Sequence, residues 1–349
     1  SCSIPEGEIM TQSGAHREIF GQMDDGQSVY RLQLSGGGLQ ANILTYGACL
    51  QDLRLDGHAA PLVLGYGDFP SYLAHSPFFG ATVGRFANRI GNAKFDLDGQ
   101  SFRTDANGNG KHTLHGGSKG YGKRLWDIAD LGTSHVYLTL SDRDGTMGFP
   151  ANCEVTCNIT LKDDGCLQIA YTLRSDAATP AGLAHHSYFI LDDSGDCRDH
   201  ELQILAEQYL PVDADLIPTG ATADVANTPF DFRAAKPIGR DLDDSLIYDH
   251  NFCLADHRRG MQNVATVYSD RSGVTLDVAT TEPGLQFYAG HKVSTPVPGL
   301  TGEPYGAYAG MCLETQNWPD APNHPSFPNA IVRPDEELRQ VSEYRFSKN

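Results

Sequence analysis

The stretch CEVTCNITLKDDGCLQIAYTLRS, residues 153–175, alternates apolar and polar residues on both sides of an Asp-Gly pair. Val155, Cys157, Ile159 and Leu161 fall on one face; after Asp164-Gly165, so do Ile169, Tyr171 and Leu173. Period-two alternation around Asp-Gly predicts a β-hairpin with one face buried. The same device appears in AKFDLDGQSFRT, residues 93–104, where Phe95 and Leu97 precede Asp98-Gly99 and Phe102 follows, a type I′ turn. A third strand pair is expected in SGVTLDVATTEPGLQFYAG, residues 272–290, around Pro283-Gly284. Long stretches with a 3.6-residue period are missing, so the expected fold is all-β, a large antiparallel β-sandwich with few short helices. The 37 glycines and 19 prolines are spread without a shift that marks a linker, so residues 1–349 read as one domain.

Length and charge narrow the function. A chain of 349 residues can enclose a buried site. Its 44 acidic and 26 basic residues give a net charge of -18, a surface that repels phosphate backbones and anionic lipid. Neither nucleic acid nor membrane is expected as a partner. No window reaches the ~18 apolar residues of a spanning helix. The opening SCSIPEGEIM has neither a basic nor an apolar leader region, although the missing initiator Met leaves room for a removed one. Eight cysteines, at 2, 49, 153, 157, 166, 197, 253 and 312, lack the short paired spacings of a zinc site and read as reduced thiols, which points to the cytoplasm. Cys153 and Cys157 would lie ~13 Å apart on one strand face, too far to bridge. The glycine-rich DANGNGKHTLHGGSKGYG, residues 105–122, has His112 where a phosphate loop needs Ser or Thr after its Lys, so no nucleotide cofactor is expected.

Chemistry-bearing residues interrupt the strand-like runs at five places. VGRFANRIG, residues 83–91, sets Arg85, Asn88 and Arg89 among apolar neighbours, and a structural arginine paired with a core carboxylate is the plain reading of such a residue. LHGG places His115 before two glycines that would let backbone approach a ligand. In AHHSYFIL, residues 184–191, strand alternation sends His185 and His186 to opposite faces, which argues against a two-histidine metal site there. LIYDHNFCL, residues 246–254, carries Asp249, His250 and Asn251, where a turn or capping role is the plain alternative for the Asp. Finally, CLETQNWPDAPNHPSFP, residues 312–328, places Glu314 after Cys312 and Leu313 and then four prolines at spacing three. That spacing fits a polyproline helix, but within a domain a rigid loop holding Glu314 and Trp318 is the better expectation.

Taken in order, G-R-x-A-N-R-I, L-H-G-G, H-S-Y-F, Y-D-H-x-F, P-G-x-Q-F-Y and E-T-Q-x-x-P-D-A-x-N resemble the aldose 1-epimerases, the galactose mutarotases. The resemblance runs from about residue 84 to the C-terminal ETQNWPDAPNHPSFPNAIVRP and implies a galactose mutarotase-like supersandwich. It further implies His186 as general acid and Glu314 as general base, with Asn88, Arg89, His115, Asp249 and Gln286 binding sugar hydroxyls. The substrate would be a free monosaccharide, with no metal or other cofactor, handled by a monomer or weak homodimer. His185 and Ile190 stand where the family has Asn, so the sugar-side wall beside His186 is expected to differ.

Interconverting anomers requires a base for the C1 hydroxyl proton and an acid for the ring oxygen. An imidazole near its reference value of about 6.5 suits the acid if nearby carboxylates hold it protonated, and partial burial at a strand end would raise Glu314 from about 4.3 towards useful basicity. The two groups are expected to face each other across a gap the width of a pyranose. Two other readings remain open: a hexose-6-phosphate 1-epimerase, which needs cations for the phosphate, and a non-catalytic carbohydrate-binding protein of the same fold, which needs neither acid nor base.

Overall fold

A computed structural model describes residues 16–349. Cys2 and the opening SCSIPEGEIM lie outside the described residues. Three antiparallel sheets carry the architecture, of four, nine and six strands. The expected hairpin forms as strands Cys153–Lys162 and Cys166–Ser175, paired from Cys153↔Ser175 to Lys162↔Cys166. Asp164 and Gly165 both take positive φ, 63° and 69°, the backbone that a two-residue turn demands. Asp98 and Gly99 do the same between Lys94–Leu97 and Gln100–Arg103.

The hairpin is the middle of the nine-stranded sheet, where Cys166–Ser175 pairs with the C-terminal strand Leu338–Lys348, itself paired with Val274–Thr280. The six-stranded sheet packs on its inner face. Strand Met311–Gln316 sends Thr315 Oγ1 to Ser342 Oγ at 2.7 Å, and Tyr344 donates its hydroxyl to Leu313 O at 3.1 Å. Apolar side chains from all three sheets, Leu32, Ile169 and Phe287 among them, merge into one buried cluster. Among the described residues the only α-helix is Phe69–His75, capped by Asp68, which accepts from Ser71 N. No helix there is long and apolar enough to cross a membrane. All seven described cysteines are free thiols, six of them buried.

The strands around Pro283-Gly284 exist, but they do not pair with each other. Val274–Thr280 belongs to the nine-stranded sheet and Gly284–Tyr288 to the six-stranded one, so the segment between them steps across the sandwich. Pairing distance in sequence misled because a Pro-Gly corner serves a sheet switch as well as a tight hairpin.

Arg85 takes the plain reading. Its guanidinium is fully buried, donates twice to Asp142 Oδ2 at 3.0 and 2.7 Å, and also donates to Ala151 O, Pro150 O and Thr179 Oγ1. Asp142 receives Arg124 and Tyr121 as well, so the charges are compensated on both sides. This knot anchors the loop that leads to Asn88 and Arg89. The glycines of LHGG serve the same loop, not a ligand: a Cβ on Gly116 would lie 1.9 Å from Gly84 O. Replacing Arg85 by Ala leaves Asp142 buried with reduced compensation, and urea unfolding is expected to show a loss of about 3–5 kcal/mol.

Candidate active site

The outward face of the six-stranded sheet is polar where its inward face is apolar. On Met311–Gln316, alternation turns Cys312, Glu314 and Gln316 away from the nine-stranded sheet. Register then lines them up with neighbours: Glu314↔Gln286↔Asn251 in one row, Cys312↔Tyr288↔Asp249 in the next. The amides form a fixed floor. Gln286 donates to Asp249 Oδ1 at 2.8 Å, and Gln316 donates to Gln286 Oε1 and Asn251 Oδ1 at 3.2 and 3.1 Å. Gln286 is therefore engaged at both ends of its amide and holds the half-buried Asp249 in place. Gln316 escaped the sequence reading, and Asn251 entered it only as a member of the Asp249 cluster, although alternation from Glu314 and Asp249 was enough to put both on this face.

Three loops and a short strand close the site over that floor. Strand Ala184–His186 pairs with Ala81–Val83 and sends His185 inwards, with its ring 5.9 Å from that of Tyr344, while His186 points out. His115 and Asn88 come together through a reciprocal pair: His115 N donates to Asn88 O, and Asn88 N donates to His115 Nδ1, at 2.9 and 3.0 Å. Both residues adopt positive φ to do so. Asn88 Oδ1 accepts Arg89 N–H, so that amide oxygen is spent on backbone. The Phe78 ring packs on both imidazoles, at 4.8 Å from His115 and 5.6 Å from His186; no pattern in the sequence singled it out.

Glu314 and His186 touch. His186 Nε2 lies 3.4 Å from Glu314 Oε1, so no pyranose-wide gap separates them. The expectation of a gap overlooked that the C1 hydroxyl and the ring oxygen share one carbon, so adjacent groups can reach both. Glu314 sits inside its strand, not at the end, and is 2 % exposed; its Oε1 has no hydrogen-bond partner among the described residues. Burial, with Asp249 adding to it, pushes the Glu314 carboxyl well above the usual range, while Arg89 works the other way. Burial also pushes His186 down to about 4. Nearby carboxylates therefore do not hold the imidazole protonated: for both groups desolvation dominates and favours the neutral form.

His115, His186 and Glu314 each bring a ligand-capable atom within 4.8 Å of the others, a spacing that would suit a divalent cation. The hydrogen bond from Asn88 opposes it. Nδ1 of His115 accepts that N–H, so the proton of the neutral ring is on Nε2, and neither nitrogen has a lone pair to give. Burial first, then His186 and Arg89, keeps His115 well below its ordinary value, which secures the neutral ring as a hydrogen-bond donor.

The family profile described as Aldose 1-epimerase matches residues 30–345. Galactose mutarotase of Rattus norvegicus is 39% identical over 339 residues, covering 95% of this chain and 98% of its own length. The chain belongs to the aldose 1-epimerase family. It is an enzyme, an isomerase. Aldose 1-epimerase of Escherichia coli K12 is 38% identical over 336 residues, covering 92% of this chain and 96% of its own. Among solved structures, the GalM/aldose epimerase homologue from C. elegans superposes with a TM-score of 0.85 at 29% identity, over 91% of this chain and 98% of that one. Galactose 1-epimerase from Lactobacillus acidophilus gives 0.82 at 27% identity, over 96% and 99%.

The two positions that depart from the aldose 1-epimerase motif lie away from the cluster. His185 faces the core, and Ile190 is buried in the main apolar cluster, so neither forms a wall beside His186. Trp318 packs against Phe327 in a second apolar cluster and donates Nε1–H to Pro283 O, which makes it a packing residue.

A carboxyl whose folded pKa is raised keeps its proton where the unfolded chain has lost it. Its contribution to stability is full below the unfolded value of 4.5 and declines as pH rises towards the folded value. Glu314→Gln avoids that decline. Calorimetry should find the variant melting above the wild type, by a margin that widens as pH rises above the unfolded value of 4.5.

Proposed function

We propose that the chain interconverts the α and β anomers of a free aldose of the galactose or glucose type by ring opening and reclosure. Glu314 removes the C1 hydroxyl proton and His186 gives one to the ring oxygen. The open aldehyde turns about C1–C2 and recloses on its other face with both transfers reversed. The single observation that carries this reading is the buried contact of His186 with Glu314, whose Oε1 lacks a partner.

The one-proton pair accounts for the chemistry. With the sugar absent, the neutral form is favoured by burial. A C1 hydroxyl that donates to Oε1 stabilises the carboxylate and draws the proton to His186, which sets both groups for the reaction. After ring opening, Glu314 carries the proton and the imidazole is neutral, the form that desolvation prefers. His115, as an Nε2–H donor, the half-buried and unpaired Arg89 guanidinium, and Asp249 would hold the hydroxyls around the ring, with Asn88 and Gln286 fixing Arg89 and Asp249.

The phosphate-sugar reading weakens, since Arg85, one of its two motif cations, is consumed by Asp142. A binding-only protein has no use for a buried acid left without a partner.

Glu314→Gln and His186→Asn are each expected to lower kcat by about 10²–10⁴ with KM little changed, as read by polarimetry of fresh α-D-galactose and α-D-glucose. Near wild-type rates in either variant would defeat the assignment. The pH profile supplies a second test. A second proton on the pair removes the base, and His186 accepts it at about 4, so kcat/KM should hold through neutrality and fall only as pH approaches that value. An acid limb near 6.5 would sink the shared-proton pair.

A further inference from the structure

The proline-rich segment after Glu314 contains one residue whose hydrogen bonds reach the opposite wall of the site. Asp320 is buried, adopts φ 59°, and its backbone N–H donates to Arg89 O at 2.8 Å. Its carboxylate Oδ1 accepts Gly91 N–H at 2.8 Å and Asn323 Nδ2–H at 2.8 Å, and Oδ2 pairs with His324 Nε2 at 2.9 Å. Asn323 reaches on to Lys94 O at 2.9 Å. The two-residue strand Arg89–Ile90 is thus held on one edge by Leu114, the residue before His115, and on the other by Asp320.

Among the described residues the Arg89 side chain has no hydrogen-bond or ion-pair partner. A long, half-buried guanidinium is aimed by its backbone, which Asn88 and Leu114 hold on one side and Asp320 on the other. We propose that Asp320 is a positioning residue for sugar binding: its carboxylate clamps Gly91 N–H and so sets the Arg89 guanidinium against the hydroxyls of the bound aldose. The segment carries Glu314 and Asp320 six residues apart in one stiff run, so a single element fixes the base and the opposite sugar-gripping cation. Pro319 and Pro322 flank Asp320 and restrict the chain around its left-handed turn. The inference rests on the reading of Arg89 as a substrate-binding group.

Kinetics on four variants separate the two. Asp320→Gly removes the carboxylate yet tolerates the positive φ, and is expected to raise KM about tenfold with kcat within about threefold, since a small misplacement of a binding group costs up to about 10². Asp320→Asn retains an acceptor for Gly91 N–H and is expected to stay within about threefold of wild type in both constants. Arg89→Lys raises KM on its own. In the Arg89→Lys background, Asp320→Gly should add little, because the group it aims is gone. If Arg89→Lys leaves KM unchanged, the binding role of Arg89 fails. If Arg89→Lys raises KM but Asp320→Gly multiplies it further by its full factor, or Asp320→Asn is as impaired as Asp320→Gly, the clamp is wrong and the Arg89 reading stands. Should Asp320→Gly not fold, His324→Ala, which frees Oδ2 alone, is read on the same scale with an expected KM rise of about threefold, again lost in Arg89→Lys.

Discussion

A carboxyl group buried without a hydrogen bond to its Oε1 is the constraint around which this molecule is arranged. Desolvating Glu314 costs free energy that only the surrounding fold can offset. The offset comes from a strand whose other face is thoroughly apolar or paired: Leu313 lies in the core and Thr315 bonds Ser342 across the sandwich. A slip of one residue along Met311–Gln316 would turn Leu313 and Thr315 to the cleft and Glu314 into the core. The register with Gly284–Tyr288, continued into Asp249–Cys253, therefore fixes base, floor and Asp249 together.

Contact with His186 turns that cost to use. An isolated buried acid would merely hold its proton; Glu314 instead has an imidazole 3.4 Å away that burial has itself pushed down. Neither group needs an external charge to be poised. The Phe78 ring over both imidazoles and the donor tautomer of His115 add uncharged surroundings to the pair.

Much of this was legible in the sequence, for identifiable reasons. Hairpins at Asp98-Gly99 and Asp164-Gly165 were readable because left-handed turn residues sit between strict alternations, a local signal. The split between His185 and His186 followed from strand geometry alone. What failed was non-local. Whether Pro283-Gly284 joins paired strands or two sheets depends on the C-terminal strand Leu338–Lys348, which inserts beside Val274–Thr280 from far along the chain. The condition that nearby carboxylates hold His186 protonated is not met, because burial, a property of packing and not of residue type, pushes His186 down and Glu314 up. Family motifs named the groups around the site but not their direction. Gln286 proves to be tied at both ends of its amide, and of the two glycines after His115, Gly116 makes room for Gly84 and Gly117 for Met147 and Asp105.

The proline spacing shows how a local pattern can be right about stiffness and wrong about shape. Residues 318–324 do not extend as a polyproline helix; they turn back through Asp320 and a short 3-10 turn at Ala321–Asn323. A straight spacer would carry the chain away from Glu314, whereas the turn brings it to Arg89, which is remote in sequence but adjacent across the cleft. Rigidity has a functional meaning only because of that return. Glu314 is held by sheet register and Arg89 by a loop, two different mechanical supports, and one continuous segment with little conformational freedom joins them. The distance between the His186–Glu314 pair and Arg89 is thereby set when the chain folds.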